Sequence, residues 1–145
     1  MFKHLLVPSD GSETSETAIR KSIELAKSIG ATVTGMHVIP TFHVFTYQIE
    51  MLEDTRELFE RDSRAHAAQF LATIERAAQE AGVPCNTVSM VSDQPYEAII
   101  KTAEEQGCDL IAMASHGRKG VRGFLLGSET QKVLVHTQIP VLVFR

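Results

Sequence analysis

The residues best suited to chemistry lie in segment 113–130, which reads MASHGRKGVRGFLLGSET and follows a strongly apolar run. Glycine lets the backbone adopt positive φ and lets main-chain N–H groups approach an anion closely. A helix is predicted to begin at Gly127-Ser128, where free N–H groups and the helix dipole favour phosphate. These features indicate a polyphosphate-binding loop. Its glycines and its cationic or imidazole side chains are Gly117, Gly120, Gly123, Gly127, His116, Arg118, Lys119 and Arg122.

Two standard phosphate-binding motifs are absent from this segment. It contains no Gly-Lys-Ser/Thr of a Walker loop and no G-x-G-x-x-G of a dinucleotide fold. A flavodoxin-like FMN site is disfavoured, because the glycine-rich loop follows the fourth predicted strand and not the first. A solvated surface loop therefore remains an alternative, and the three cationic side chains fit either interpretation.

A second group of polar residues, Pro8-Ser9-Asp10-Gly11-Ser12, follows the first apolar run. Asp10 could accept hydrogen bonds from a ligand, could cap the following helix, or could do both. His116 has no second histidine, cysteine or carboxylate at ligand spacing, so a hydrogen bond near phosphate is favoured over metal binding. His37 lies in an apolar strand and is predicted to be a structural core residue. We assign no catalytic residue and no metal ligand.

The hydrophobic periodicity predicts a βαβαβαβαβ chain. This alternation indicates an α/β fold with a mostly parallel sheet and helices on both faces. Two strand orders fit it: 2-1-3-4-5, and a relative in which strand 1 lies beside strand 4, so that the loops after both strands face one crevice. Ser128 and Gln131 have the spacing of a capping box, and residues 41–50 fit a strand extension or a loop. Strands are predicted at 3–8, 31–39, 85–92, 108–115 and 140–145, and helices at 12–30, 51–81, 93–107 and 129–138.

Length and charge narrow the function classes further. The chain has 145 residues, which predicts one domain spanning 1–145. Its formal charge of −4 argues against a protein that binds nucleic acid or an anionic membrane surface. The first apolar run ends at Pro8, so the run is too short for a signal peptide. No apolar run in the sequence is long enough to span a bilayer. We therefore expect a soluble cytoplasmic protein.

The chain resembles the universal stress proteins along its whole length, in the strings LLVPSDGSETSETAI, SHGRKG, LLGSET and IPVLVF. The ATP-binding branch of that family carries glycine, two residues, glycine, nine residues, glycine, and then serine or threonine. Here the motif runs from Ala114 through Gly117 to Gly127 and Ser128, so alanine replaces the first glycine. The substitution adds one methyl group, and we expect ATP binding to survive it.

The resemblance implies a Rossmann-like, adenine nucleotide alpha hydrolase-like sheet of order 3-2-1-4-5. It also implies a homodimer in which the C-terminal strands pair antiparallel, with ATP as ligand. From the residues themselves we expect slow ATP hydrolysis at most. Mg²⁺ could accompany ATP, held through Asp10 and Glu129. The implied ligand contacts are Pro8, Ser9 and Asp10 at adenine and ribose, Val38 at the adenine edge, Met113 and Ala114 at the ribose, and His116, Gly117, Gly127, Ser128, Glu129 and Thr130 around the phosphates.

The expected function is an ATP-binding stress-response regulatory module that acts through conformation or partner choice. Two alternatives remain open. One is a nucleotide-free interaction protein of the same fold, which Ala114 favours. The other is a weak nucleotide hydrolase, for which the sequence offers a phosphate-binding loop but no evident group to orient a nucleophile.

Overall fold

The computed structural model describes residues 1–42, 49–116 and 126–145. Within these described ranges, nine elements alternate, as the periodicity predicts. The strands are β1 (His4–Pro8), β2 (Thr32–Ile39), β3 (Cys85–Val91), β4 (Leu110–Ala114) and β5 (Val141–Phe144). The helices are α1 (Glu13–Ile29), α2 (Ile49–Ala81), α3 (Pro95–Glu105) and α4 (Ser128–His136).

The five strands form one parallel sheet in the order β3-β2-β1-β4-β5, which confirms the implied strand order. β1 occupies the centre, with β2 on one side and β4 on the other. Pro8, at the end of β1, pairs with Met36, while Leu5 pairs with Leu110. The chain therefore leaves β1 in one direction toward β2 and β3, and returns on its other side as β4 and β5.

Side chains of β1 alternate between two apolar layers, which explains why this strand is hydrophobic at every central position. Leu5 and Val7 join a cluster with residues of α1 and α2, including Ile19, Ile23 and Ile74. Leu6 joins the opposite cluster, formed with α3 and α4 and including Ile99 and Val133. Both faces of the sheet are thus covered by helices, as expected for a parallel sheet.

The structure decides one N-cap that the sequence left open and corrects one predicted capping box. Ser12, not Asp10, is the N-cap of α1, because its side-chain oxygen accepts the N–H of Ser15 at 3.1 Å. The predicted capping box at Ser128 and Gln131 does not form. Gly127 is the N-cap of α4 and its carbonyl accepts the N–H of Gln131, while the Gln131 side chain donates to the Leu126 carbonyl.

The longest helix, α2, spans 33 residues and begins at Ile49, two residues before its predicted start. Part of segment 41–50, for which a strand and a loop were both open, is therefore helical, and positions 43–48 lie outside the described residues. α2 is too polar to be a membrane span. In the described part of the chain, no helix is long and apolar enough to cross a bilayer.

Candidate functional site

The candidate site lies beyond the carboxyl ends of β1 and β4. These two strands are paired, and the strand order reverses between them. In open α/β sheets, ligands bind in the crevice that such a reversal leaves between the following loops. The structure thus brings together the two polar segments that the sequence singled out, 8–12 and 113–116.

The loop after β1 is held by hydrogen bonds to its own side chains. Asp10 is partly buried, and its Oδ1 accepts the N–H of Ser12 at 3.0 Å. Ser9 is buried, and its Oγ accepts hydrogen bonds from the N–H of Gly11 and the Oγ of Ser15. Asp10 therefore stabilises the turn before α1 without being the N-cap of this helix.

On the other side of the crevice, the N-terminus of α4 lies very close to the end of β4. The N–H of Gly127 donates to the Ser115 carbonyl at 2.6 Å. A Cβ at position 127 would lie 3.0 Å from the His116 Cα and 3.1 Å from the Ser115 oxygen. Only glycine fits there without displacing backbone. As a result, the first-turn N–H groups of α4, which have no intrahelical partner, lie beside the carboxyl end of β4.

Two side chains predicted to surround phosphate are already hydrogen-bonded elsewhere. The Thr130 hydroxyl is buried and donates to the Ala114 carbonyl at 2.9 Å. The Glu129 carboxylate accepts the N–H of Tyr96, in the first turn of α3, at 3.0 Å, and it pairs with Lys132 Nζ at 3.2 Å. Residues 129 and 130 can therefore serve an anion through their main-chain N–H groups, while the Glu129 carboxylate faces α3.

The other predicted contacts lie at the carboxyl ends of adjacent strands. Pro8 ends β1, Val38 is the penultimate residue of β2, and Met113 and Ala114 end β4. His116 follows β4, and its Nδ1 lies 3.4 Å from the Thr14 Oγ1 in the first turn of α1. Gly117 lies outside the described residues, as do Gly120, Gly123, Arg118, Lys119 and Arg122.

Sequence analysis missed one residue that touches the site. His37 is only partly buried, and its Nδ1 lies 2.8 Å from the Ser9 carbonyl. Its ring packs edge-on against Phe70 of α2 at 5.0 Å between centroids. As predicted, this histidine is hydrogen-bonded and packed, but it is only partly buried and it also contacts the loop that carries Asp10. The alternation of side chains along β2 does indicate where His37 lies. His37 shares a face of the strand with Gly35, against which Ile74 of α2 packs.

Comparison with known proteins decides the family. The model of the universal stress protein family matches residues 1–145, the whole chain. The chain belongs to the universal stress protein family. It is 31% identical to universal stress protein MJ0577 of Methanocaldococcus jannaschii over 157 aligned residues, covering all of this chain and 96% of that protein.

Solved structures of this family share the fold. The MJ0577 structure superimposes with a TM-score of 0.81 at 30% identity, covering 99% of this chain and 95% of that one. A universal stress protein in complex with cAMP gives a TM-score of 0.72 at 21% identity, covering 99% and 97%. One from Archaeoglobus fulgidus in complex with dAMP gives 0.64 at 17% identity, covering 100% and 98%. At these two lower identities the likeness concerns the fold alone.

The donor set at the crevice fits an anionic ligand better than a metal ion. The N–H groups of Ser128, Glu129 and Thr130 stand in the first turn of α4, where an α-helix gives them no intrahelical partner, and such groups at a helix N-terminus favour phosphate. Among residues 1–42, 49–116 and 126–145, no three His, Cys, Asp or Glu side chains form a group that could hold a metal ion. With the Glu129 carboxylate turned toward α3, Asp10 is the one predicted Mg²⁺ carboxylate left at the crevice.

Proposed function

We propose that this universal stress protein is an ATP-binding regulatory module. One observation carries the proposal: at the strand-order reversal, the N-terminus of α4 lies against the end of β4 at a position where only glycine fits. The crevice is a natural ligand position, and the exposed N–H groups suit phosphate. Two structural neighbours of the same fold are in complex with cAMP and dAMP, which supports an adenine nucleotide as the proposed ligand.

In this proposal the residues have separate tasks. Asp10 accepts hydrogen bonds from the ribose hydroxyls, while Pro8, Ser9, Val38, Met113 and Ala114 line the adenosine part of the crevice. The N–H groups of Ser128, Glu129 and Thr130, together with His116 and Gly117, bind the phosphates, while the Gly127 N–H stays bonded to the Ser115 carbonyl and holds α4 close to them. Mg²⁺, where present, is held through phosphate oxygens, water and at most Asp10. The nucleotide brings its negative charge and orders the chain around it, while the residues of the chain bind and orient the nucleotide.

The regulatory step that we propose is a population shift caused by the bound nucleotide. The edge strand β5, Val-Leu-Val-Phe, pairs with β4 on its inner side. An apolar edge strand tends to pair with another strand, so we propose a homodimer in which two copies of β5 lie antiparallel. Nucleotide binding between β4 and α4 would then change the dimer or the surface offered to a partner. A cytoplasmic location stays a prediction.

The proposal is tested by titration calorimetry with ATP, ADP and AMP on the purified full chain. We expect binding by wild type and at least about tenfold weaker binding by Asp10→Ala. Asp62→Ala, which removes an exposed carboxylate from α2, is the matched control and should bind like wild type. Native mass spectrometry reports dimerisation and co-purified nucleotide in the same sample. No detectable affinity for any adenine nucleotide would refute the proposal.

The nucleotide-free interaction protein remains the second candidate. Ala114 replaces the first glycine of the motif, and the Thr130 hydroxyl is bonded to its carbonyl, so one expected phosphate donor is occupied. A weak hydrolase is a third candidate, and release of phosphate from Mg²⁺-ATP would support it. A monomer or dimer that binds no nucleotide in calorimetry, yet captures another protein, would favour the second candidate over the first.

A further inference from the structure

The peptide unit between Ser9 and Asp10 is held on both sides by side chains from other elements. Its carbonyl oxygen accepts a hydrogen bond from His37 Nδ1 of β2 at 2.8 Å. Its N–H donates to the Ser15 Oγ of α1 at 3.3 Å. Rotating this peptide would break both hydrogen bonds at once. The orientation in which Asp10 leaves the sheet therefore depends on side chains outside the loop itself.

The main chain before this peptide is fixed as well. The N–H of Ser9 donates to the Met36 carbonyl at 2.8 Å, which extends the pairing of β1 with β2 by one residue. His37 is the next residue along β2, so its side chain is aimed at the Ser9 carbonyl by the register of the two strands. The contact is therefore part of the sheet geometry at the point where β1 ends.

The long helix α2 holds the His37 ring in place. Phe70 lies edge-on to the ring with centroids 5.0 Å apart and 66° between planes. The same phenyl ring lies so close to Gly11 that a Cβ there would come within 2.3 Å of it. Phe70 thus restricts both the histidine and the loop. Because Nδ1 donates to a carbonyl, the neutral ring must carry its proton on Nδ1.

We infer that His37 is a positioning residue for nucleotide binding: it fixes the Ser9–Asp10 peptide and thereby the direction in which Asp10 leaves β1. This inference rests on the proposed function, since Asp10 is the ribose acceptor there. His37 itself does not need to touch the nucleotide. Its contribution is to remove the freedom of the loop before the ligand arrives, which reduces the ordering cost of binding.

The test compares His37→Asn with His37→Leu by calorimetry with ATP. Asparagine carries its amide nitrogen on the same γ carbon that bears Nδ1 in histidine, so it can still donate to the Ser9 carbonyl. Leucine has a shape similar to that of asparagine but no hydrogen-bond donor. Both variants lose the ring contact with Phe70. We expect His37→Leu to weaken binding about fivefold and His37→Asn to restore most of the affinity. A purely structural effect of losing the ring would weaken both variants equally.

A control and a second readout separate this inference from the proposed function. His66 stacks on Phe70 from the exposed side, at 6.2 Å, so His66→Asn should leave affinity unchanged. Amide hydrogen exchange at Asp10 and Gly11, measured without nucleotide, should accelerate in His37→Leu but not in His37→Asn.

The outcomes discriminate between the two proposals. If wild type binds ATP and His37→Leu binds equally well, with unchanged exchange at Asp10, the role of His37 is overturned and the proposed function stands. Equal weakening in His37→Leu and His37→Asn would also overturn it. If wild type binds no adenine nucleotide, the proposed function fails and the role of His37 in binding fails with it.

Discussion

Replacing Gly127 with alanine tests the central feature of the site with a single methyl group. The residue has φ −61° and ψ 150°, which any residue can adopt, so alanine causes no backbone strain by itself. The destabilisation by alanine comes only from the contacts that its methyl group would make. The added Cβ would lie 3.0 Å from the His116 Cα and 3.1 Å from the Ser115 oxygen, and both are main-chain atoms.

The magnitude follows from these distances. Carbon atoms pack best at about 3.5–4.0 Å, so the start of α4 and the end of β4 must separate by roughly 0.5 Å. Overpacking of this kind costs about 1–3 kcal/mol, while restricting the unfolded chain at a former glycine returns about 0.4–1 kcal/mol. We expect a net destabilisation of about 1–2 kcal/mol. Because the shift widens the proposed phosphate cradle, ATP affinity should fall at least about tenfold.

The assay pairs urea unfolding with calorimetry, and Gly30→Ala is the matched control. Gly30 ends α1 at φ 68°, with open space around the position of a Cβ. Alanine there should cost roughly 1–2 kcal/mol through its left-handed backbone, and Gly30 precedes β2 at the amino-terminal ends of the strands, away from the site. Both variants should therefore lose stability, but only Gly127→Ala should lose affinity. Wild-type affinity in Gly127→Ala would refute the argument that this close approach builds the site.

Two further predictions concern stability. Thr102 of α3 is buried, and within the part of the chain that the structure describes its hydroxyl has no hydrogen-bond partner. Thr102→Val should therefore raise the free energy of unfolding by about 1–2 kcal/mol. If urea unfolding shows no gain in stability, the hydroxyl is satisfied after all. Partial burial acts to raise the pKa of Asp109, but hydrogen bonds from the N–H groups of His4 and Lys3 outweigh it and hold the pKa below its ordinary value. A lowered folded-state pKa stabilises the fold above the unfolded-state pKa, so the pH-dependent advantage of wild type over Asp109→Asn should be full near pH 6 and be lost as the pH falls through the folded-state pKa of Asp109; a pH-independent difference would contradict this.

Much of the fold was predictable because the strands and helices differ in local pattern. β1 and β4 are apolar at successive positions, which indicates strands buried on both faces, and the structure places them side by side at the centre of the sheet. The local pattern did not predict which strands are neighbours in the sheet. Alternation alone allowed two strand orders, and only the family resemblance selected the one in which the loops after β1 and β4 face each other.

Helix starts were less predictable, because the capping residue depends on where the chain leaves the preceding loop. Asp10, Ser12 and Ser128 are all good N-cap residues by type. The tight contact of Gly127 with the end of β4 makes Gly127, and not Ser128, the N-cap of α4. The turn made by Asp10 likewise leaves the capping role to Ser12. Tertiary contact therefore decides between candidates that local sequence ranks as equal.

Side-chain partners within the site could not be read from the sequence, and they change what the site can do. A threonine and a glutamate at a helix N-terminus look like anion or Mg²⁺ contacts, yet Thr130 is bonded to the carbonyl of Ala114 and Glu129 to the first turn of α3. Both side chains instead fix α4 against its neighbours. On the α4 side, the ability of this crevice to bind an anion then depends on main-chain N–H groups and the Ser128 hydroxyl, which is why one methyl group at position 127 should matter more than the side chain of Glu129 or Thr130.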